Sequence, residues 1–176
     1  MPELWDIVDE NGNKTGRLHE RGMPMKKGEY HLSVSIWILN NKCEFLISKR
    51  TPTQIAPNMW ETTGGSAIAG ETSLEAALRE TREELAITLN PEKGHIFTKY
   101  TYPHSCGTGA AFFDVWLFVH EVDISTVVLQ PTETCDVIWA SKDKIKQLIG
   151  NGQFINYSYI DELFCTASEL ISKKDY

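Results

Sequence analysis

The stretch Gly65-Ser-Ala-Ile-Ala-Gly-Glu71-Thr-Ser-Leu-Glu-Ala-Ala-Leu-Arg79-Glu80-Thr-Arg-Glu83-Glu84-Leu-Ala-Ile87 decides how this chain is read. Thr72-x-x-Glu75 is a capping box and sets a helix start at about Thr72 or Ser73. From there Leu74, Ala77, Leu78, Thr81 and Leu85 recur at i, i+3, i+4, i+7 and i+11 and predict one buried stripe. At about 100° per residue, Glu80, Glu83 and Glu84 fall together on an arc roughly 100° wide beside that stripe. Electrostatically this is a poor place for them. Glu80 and Glu84 are an i,i+4 like-charge pair, and anions near a helix C-terminus oppose the macrodipole. A helix selected for stability alone would carry Lys there. Two readings follow: a solvated acidic face, or a site for a hard cation, since oxygen ligands are what Mg²⁺ or Mn²⁺ prefer.

The whole pattern separates the two. Gly65, then Glu71 after five residues, Arg79-Glu80 after seven, then Glu83-Glu84, resembles the Nudix box of the Nudix hydrolase superfamily, here at residues 65–87. Every charged position of that box is present. Thr81 stands where the family carries an aliphatic residue, and Ala86 where it carries Gly. Thr81 softens a packing position. Ala86 bears on the helix end, where Gly is favoured for a left-handed turn. The resemblance implies an α/β fold, the Nudix α/β/α sandwich with a mixed β-sheet, and hydrolysis of a diphosphate linkage with Mg²⁺ or Mn²⁺. By the same resemblance Glu80, Glu83 and Glu84 are metal ligands, with Glu80 alternatively the base that prepares water, and Arg79 orients Glu80. Glu71 stands behind the ligands, and a flexible Gly64-Gly65 turn lets backbone approach metal or phosphate. Family members often add an acid from outside the box; Glu133 is the candidate, a plain loop carboxylate being the alternative. Lys49 and Arg50, ending a strand before the catalytic loop, are either phosphate contacts or ordinary surface charges.

Composition agrees with one domain over 1–176. With 176 residues and 41% hydrophobic content, the chain can bury a core without staples. Its net charge of −7 argues against a scaffold for duplex nucleic acid or a polybasic membrane surface. It leaves small anionic substrates open, because a divalent ion can carry them. No apolar run has the length of a membrane span, and the N-terminus lacks the apolar core of a signal peptide, so a cytoplasmic location is expected. Cys43, Cys106, Cys135 and Cys165 are scattered with no C-x-x-C pair and read as reduced thiols; Cys106 and Gly107 read as part of a turn or strand edge.

The remaining elements follow from periodicity. Leu4–Val8 alternates, Asp9 to Asn13 turns, and Lys14 to His19 returns, giving a hairpin in an N-terminal extension over 1–30. Asp9, Asn11, Asn13 and Glu20 imitate calcium-loop spacing, but Lys14 occupies the required Gly position and no helices flank it. Strands are predicted at His31–Leu39, Glu44–Lys49, Ile96–Tyr102, Ala111–Glu121 (apolar enough to be central) and Val137–Trp139. Ser141 caps a helix ending near Gly150, and Ile160, Leu163, Phe164, Ala167, Leu170 and Ile171 mark a last amphipathic helix.

The hairpin from Trp5 to Gly16, leading to His19 and His31, resembles the branch related to isopentenyl-diphosphate isomerases. Those isomerases use a Cys and a metal-binding His in the loop before the acidic helix, and Trp60 to Glu71 contains neither. The reading is therefore a hydrolase of a nucleoside diphosphate derivative or another small organic diphosphate. Isoprenoid diphosphate chemistry and a non-catalytic diphosphate sensor are the alternatives. His31, opening an apolar strand, is a structural residue or a leftover ligand position. Trp60, Tyr100, Tyr102 and Trp116 either stack on a base or pack. A homodimer through the hairpin or apolar strand edges rests on analogy.

Overall fold

The computed structural model describes residues 2–105 and 109–172; Cys106 and Gly107 therefore lie outside the described residues. In chain order the strands and helices are β1 (Leu4–Val8), β2 (Lys14–Glu20), β3 (Tyr30–Leu39), β4 (Phe45–Arg50), β5 (Trp60–Glu61), β6 (Thr63–Ser66), α1 (Ser73–Leu85), β7 (Gly94–Ser105), β8 (Gly109–Val119), β9 (Thr134–Ala140), α2 (Lys142–Gly150) and α3 (Ile160–Ser172). No helix among the described residues is long and apolar enough to cross a membrane.

β3 organises the sheet. One edge runs parallel to β8 from Tyr30↔Ala110 to Leu39↔Val119. The other edge meets three strands in turn, all antiparallel: β1 at Val8↔Tyr30, β6 from Ser33↔Ser66 to Ile36↔Thr63, and β4 at Ile38↔Leu46. β4 carries β5 and β9, and β7 flanks β8, so the sheet is mixed. The near-continuous apolar runs of β3 and β8 are explained by burial on both faces. Val34, Ile36 and Ile38 face α1 together with Trp116 and Phe118. Trp37 and Leu39 point the other way, onto Ile145 and Leu148 of α2 and Leu163, Phe164 and Ala167 of α3. Helices therefore cover both faces, the three-layer α/β arrangement expected from the sequence.

In the hairpin, the Asp9 side chain accepts the Asn11 and Asn13 backbone N–H groups at 2.9 Å each, so the calcium-like spacing is turn chemistry. In α1, Thr72 and Glu75 form the full capping box, as the sequence predicts. The buried face, however, is rotated from the expected stripe. Ala76, Ala77, Thr81, Glu84 and Leu85 are buried, while Leu74 and Leu78 are half-buried. Packing on β3 and β6 is close, and small side chains serve it better than leucines. Thr81 is tolerated there because its hydroxyl donates to the Ala77 carbonyl at 2.9 Å.

Ala86 keeps the left-handed helix end that Gly would provide, with φ 56° and ψ 26°. Its N–H donates to the Arg82 carbonyl at 3.0 Å, the single bond of an αL cap, and that of Ile87 donates to the Thr81 carbonyl at 3.4 Å. Val128 and Gln130 then donate to the carbonyls of Leu85 (3.2 Å) and Glu84 (3.0 Å), so the loop after β8 finishes the end of the helix. The Cβ strain of this conformation costs on the order of 1 kcal/mol. Ala86→Gly is expected to raise unfolding stability by about 0.5–1 kcal/mol, read as a higher urea midpoint at unchanged slope.

Candidate active site

Arg79 gathers the charged positions of the helix. Its Nε and Nη2 fork onto Glu71 at 2.7 and 3.0 Å, and Nη1 donates to Glu80 at 3.0 Å and Glu83 at 2.9 Å. Nη2 also donates to the Ser66 carbonyl at 2.9 Å, which ties the helix to β6. Glu71 in turn accepts the Ile68 backbone N–H at 3.0 Å. Desolvation works against the charge of this guanidinium. The hydrogen bonds to Glu71 and the charge of Glu80 outweigh it and raise the Arg79 pKa. One planar fork thus sets the rotamers of three carboxylates.

Gly64 and Gly65 are strand residues of β6, not the flexible turn expected from the sequence, because both pair with β3. The close approach inferred for them is present in another form. A Cβ on Gly65 would stand 2.1 Å from Glu80 Oε1, and one on Gly64 would stand 2.4 Å from the Val34 carbonyl oxygen. The absent side chain at Gly65 is the space in which the Glu80 carboxylate lies.

Beside this clamp sits a group of carboxylates with too little positive charge. Burial pushes the Glu80 carboxyl up to about 7 against the pull of Arg79, and Glu83 and Glu133 push it further. Glu84, only 7% exposed, is raised well above the carboxylate range by burial and then by Glu80, Glu61 and Glu133. Glu61 is raised as well, by burial, although Arg50 Nη1 donates to both of its carboxylate oxygens, at 2.7 and 2.8 Å. Glu133, singled out from the sequence, is near enough to act on Glu61, Glu80 and Glu84. Its loop is held by Thr51, whose N–H donates to the Glu133 carbonyl at 3.0 Å.

Glu61 escaped the sequence reading. It belongs to no spaced motif, and it joins the group only through β5 pairing with β4 at Ser48↔Glu61. Arg50 is engaged by Glu61 and by the Ile55 carbonyl at 2.6 Å, and Lys49 lies 5.7 Å from the Trp60 ring centre. His31 is buried against Trp5, ring centres 4.2 Å apart, and burial lowers its pKa to about 4. It is neutral at neutral pH.

Among the described residues no three acidic, His or Cys side chains are drawn into a ready coordination sphere. The donor chemistry nevertheless fits a hard divalent cation. Several buried carboxylates destabilise one another's charged forms, and they offer oxygen only. Glu80 and Glu84 are the carboxylates such an ion could use from within the fold, and the Glu83 side chain is half-exposed.

A family model described as NUDIX domain matches residues 29–163. The Nudix hydrolase lin0387 of Listeria innocua is 37% identical over 92% of this chain and 94% of its own length. An isopentenyl-diphosphate Delta-isomerase of Escherichia coli O127:H6 is 24% identical over 76% of this chain and 74% of its own. The crystal structure of DR0079 from Deinococcus radiodurans superimposes with a TM-score of 0.71 at 21% identity, covering 94% of this chain and 99% of that one.

The raised Glu80 pKa has a thermodynamic consequence. A carboxyl whose folded pKa exceeds its unfolded one stabilises the fold below the unfolded value, and that contribution is lost as pH rises through the folded value. Between about pH 4.5 and 8 the metal-free protein is expected to lose roughly 2–3 kcal/mol on account of Glu80. Glu80→Gln removes this slope. Chemical denaturation of chelator-treated protein should show the variant more stable than wild type at about pH 8, and the gap closing near pH 4.5.

Proposed function

The chain belongs to the Nudix family and is a Nudix-type hydrolase, and on that premise we propose that it cleaves a diphosphate linkage in a nucleoside diphosphate derivative or other small organic diphosphate. The observation that carries this reading is the pair of carboxylates, buried Glu84 and part-buried Glu80, set beside the Arg79 clamp. The reading assigns Mg²⁺ or Mn²⁺ to Glu83 and Glu84, with Glu80 as the base that prepares water (a further ligand in the alternative) and Glu61 and Glu133 as further acids. When bound, such an ion neutralises the diphosphate's charge, orients it and acidifies a water. The chain's own residues do the rest. Arg79 fixes Glu80 Oε1 and thereby the direction in which Oε2 is offered. Glu80 takes the proton from water as the water oxygen attacks one phosphorus and the bridging P–O bond breaks. Glu71 keeps Arg79 in place, a supporting role of the kind that commonly costs 10–100-fold in activity when removed. We read residues 1–176 as one domain. The exposed Leu18 and Met23 of the 1–30 extension are the surface that a homodimer would use.

A second reading, isoprenoid diphosphate chemistry, is favoured by the hairpin and by the likeness to an isopentenyl-diphosphate isomerase. The segment from Trp60 to Glu71 lacks the Cys that isomerisation would use, which favours hydrolysis.

Product release with Mg²⁺ or Mn²⁺ from nucleoside di- and triphosphates, nucleotide sugars, dinucleotides and isopentenyl diphosphate tests the proposal. At least one compound is expected to turn over, and Glu84→Gln to reduce its kcat by about 10³-fold or more with the fold retained. Silence from the wild type across the panel, with metal and ligand still bound, would move the sensor reading to first place. Gly65→Ala is a subtler probe. Its methyl group displaces the Glu80 carboxylate, and a shift of about 1 Å is expected to lower kcat on the order of 10²-fold while the circular dichroism spectrum stays native.

A further inference from the structure

The clamp on Arg79 is only as well placed as Glu71, which stands in the loop between β6 and α1. That loop turns at Gly70, whose φ of 91° lies in the left-handed region, and Glu71 follows immediately. Within the loop the Glu71 N–H donates to the Ile68 carbonyl and the Ile68 N–H to the Glu71 carboxylate, both at 3.0 Å. These bonds fold the loop on itself. They do not fix where it sits against the rest of the molecule.

Two strands supply that. The Ala67 N–H donates to the Leu32 carbonyl of β3 at 2.9 Å, and the Ala69 N–H to the Leu4 carbonyl of β1 at 2.7 Å. The bond nearest Glu71 is made by a side chain of the hairpin. Asp6 of β1 accepts the Gly70 N–H on Oδ2 at 2.9 Å, and the same oxygen meets Lys14 Nζ of β2 at 2.7 Å. The Asp6 side chain is only 22% exposed. A cavity of about 490 Å³ opens beside this joint, lined by Asp6, Lys14, Leu32, Ala67, Ile68 and Glu71 among others, so packing does not fill the space between hairpin and loop. A charge-assisted hydrogen bond crosses it instead. Contacts then run in series from Asp6 to Gly70, along the chain to Glu71, from Glu71 to Arg79 at 2.7 and 3.0 Å, and from Arg79 to Glu80 and Glu83. Asp6 lies before residue 29, where the family match begins, so this support is the hairpin's own contribution.

Resting on the diphosphate reading above, we infer that Asp6 is a positioning residue for the hydrolytic site: by fixing Gly70 it sets the direction of Glu71 and, through Arg79, that of Glu80 and Glu83. Asp6 touches none of the reacting atoms. Its part is to hold Glu71 where both of its oxygens meet the guanidinium fork. Without that acceptor the Gly70 N–H turns to water, and the turn gains the backbone freedom that glycine allows. Lys14 has a different task, since it balances the Asp6 charge from within the hairpin. The loop bond and the hairpin ion pair can therefore be removed separately.

Two measurements on the full chain test this: Mn²⁺ affinity from the free-ion electron paramagnetic resonance signal, and solvent exchange of the Arg79 Nε–H in metal-free protein by NMR. Asp6→Ala is expected to weaken Mn²⁺ binding about 10-fold and to speed the exchange by a similar factor, the low end of the range for groups that support metal ligands. Lys14→Met should leave both within about twofold of wild type, and Asp6→Asn, which keeps an acceptor for Gly70, should recover most of the loss. Glu71→Gln already loosens the clamp, so adding Asp6→Ala to it should cost less than about a further twofold. On any diphosphate that is turned over, Asp6→Ala should lower kcat about 10-fold with KM within about threefold of wild type. Equal losses in Lys14→Met and Asp6→Ala would show Asp6 to be a hairpin staple and overturn the inference. So would losses that multiply in the double variant, or wild-type values in Asp6→Ala. Asp6→Leu, close in shape, takes the place of Asp6→Ala where the latter does not fold. Failure of the hydrolase reading is seen separately, as silence in the turnover panel, and the Arg79 exchange rates still decide the role of Asp6.

Discussion

The structure turns on keeping acidic side chains together in a place where water cannot screen them. Glu80 and Glu84 are one helical turn apart near the C-terminus of α1, and burial raises both pKa values. Like charges, desolvation and the helix dipole all work against this arrangement. Arg79 offsets part of the cost by bridging Glu71, Glu80 and Glu83. It makes no ion pair with Glu84, and Arg50, which acts on Glu84 from farther off, is paired through Nη1 with Glu61. The residual negative charge is what a divalent cation would relieve. A fold selected only for stability would not keep it.

Close packing makes the arrangement geometrically exact enough to be useful. α1 meets the sheet through Ala76, Ala77 and Thr81. β6 presents two residues without side chains, one against the Val34 carbonyl and one against the Glu80 carboxylate. Helix and strand can therefore approach until Arg79 reaches the Ser66 carbonyl. The helix end is completed by the loop after β8, whose N–H groups take the carbonyls of Glu84 and Leu85, and the same loop brings in Glu133. Packing and chemistry share these contacts, so a substitution here changes both.

The N-terminal hairpin is part of the same construction. Trp5 buries its ring on His31 and holds Glu3 through its indole N–H, while β1 fastens to the loop before α1. His31, kept neutral by burial, packs its ring on Trp5 within this construction.

Much of this was legible in the chain itself, where short-range physics decides the outcome. The capping box at Thr72, the 3.6-residue period of α1, the apolar runs of β3 and β8 and the Ser141 cap are local signals, and the elements formed where they stood. The spacing of Glu71, Arg79, Glu80, Glu83 and Glu84 was equally local, since a helix converts sequence interval directly into position on a face. Other features depended on chain segments far apart in sequence. Glu61 enters the site because β5 pairs with β4, Arg50 turns inward because Glu61 is there, and Gly64-Gly65 become strand because β3 offers an edge. The buried face of α1 rotated toward its alanines for the same reason: the partner surface, not the helix, chose which side could come closest. Helical periodicity fixes which side chains neighbour one another within an element; strand pairing and packing density decide which elements meet, and no single segment carries that information alone.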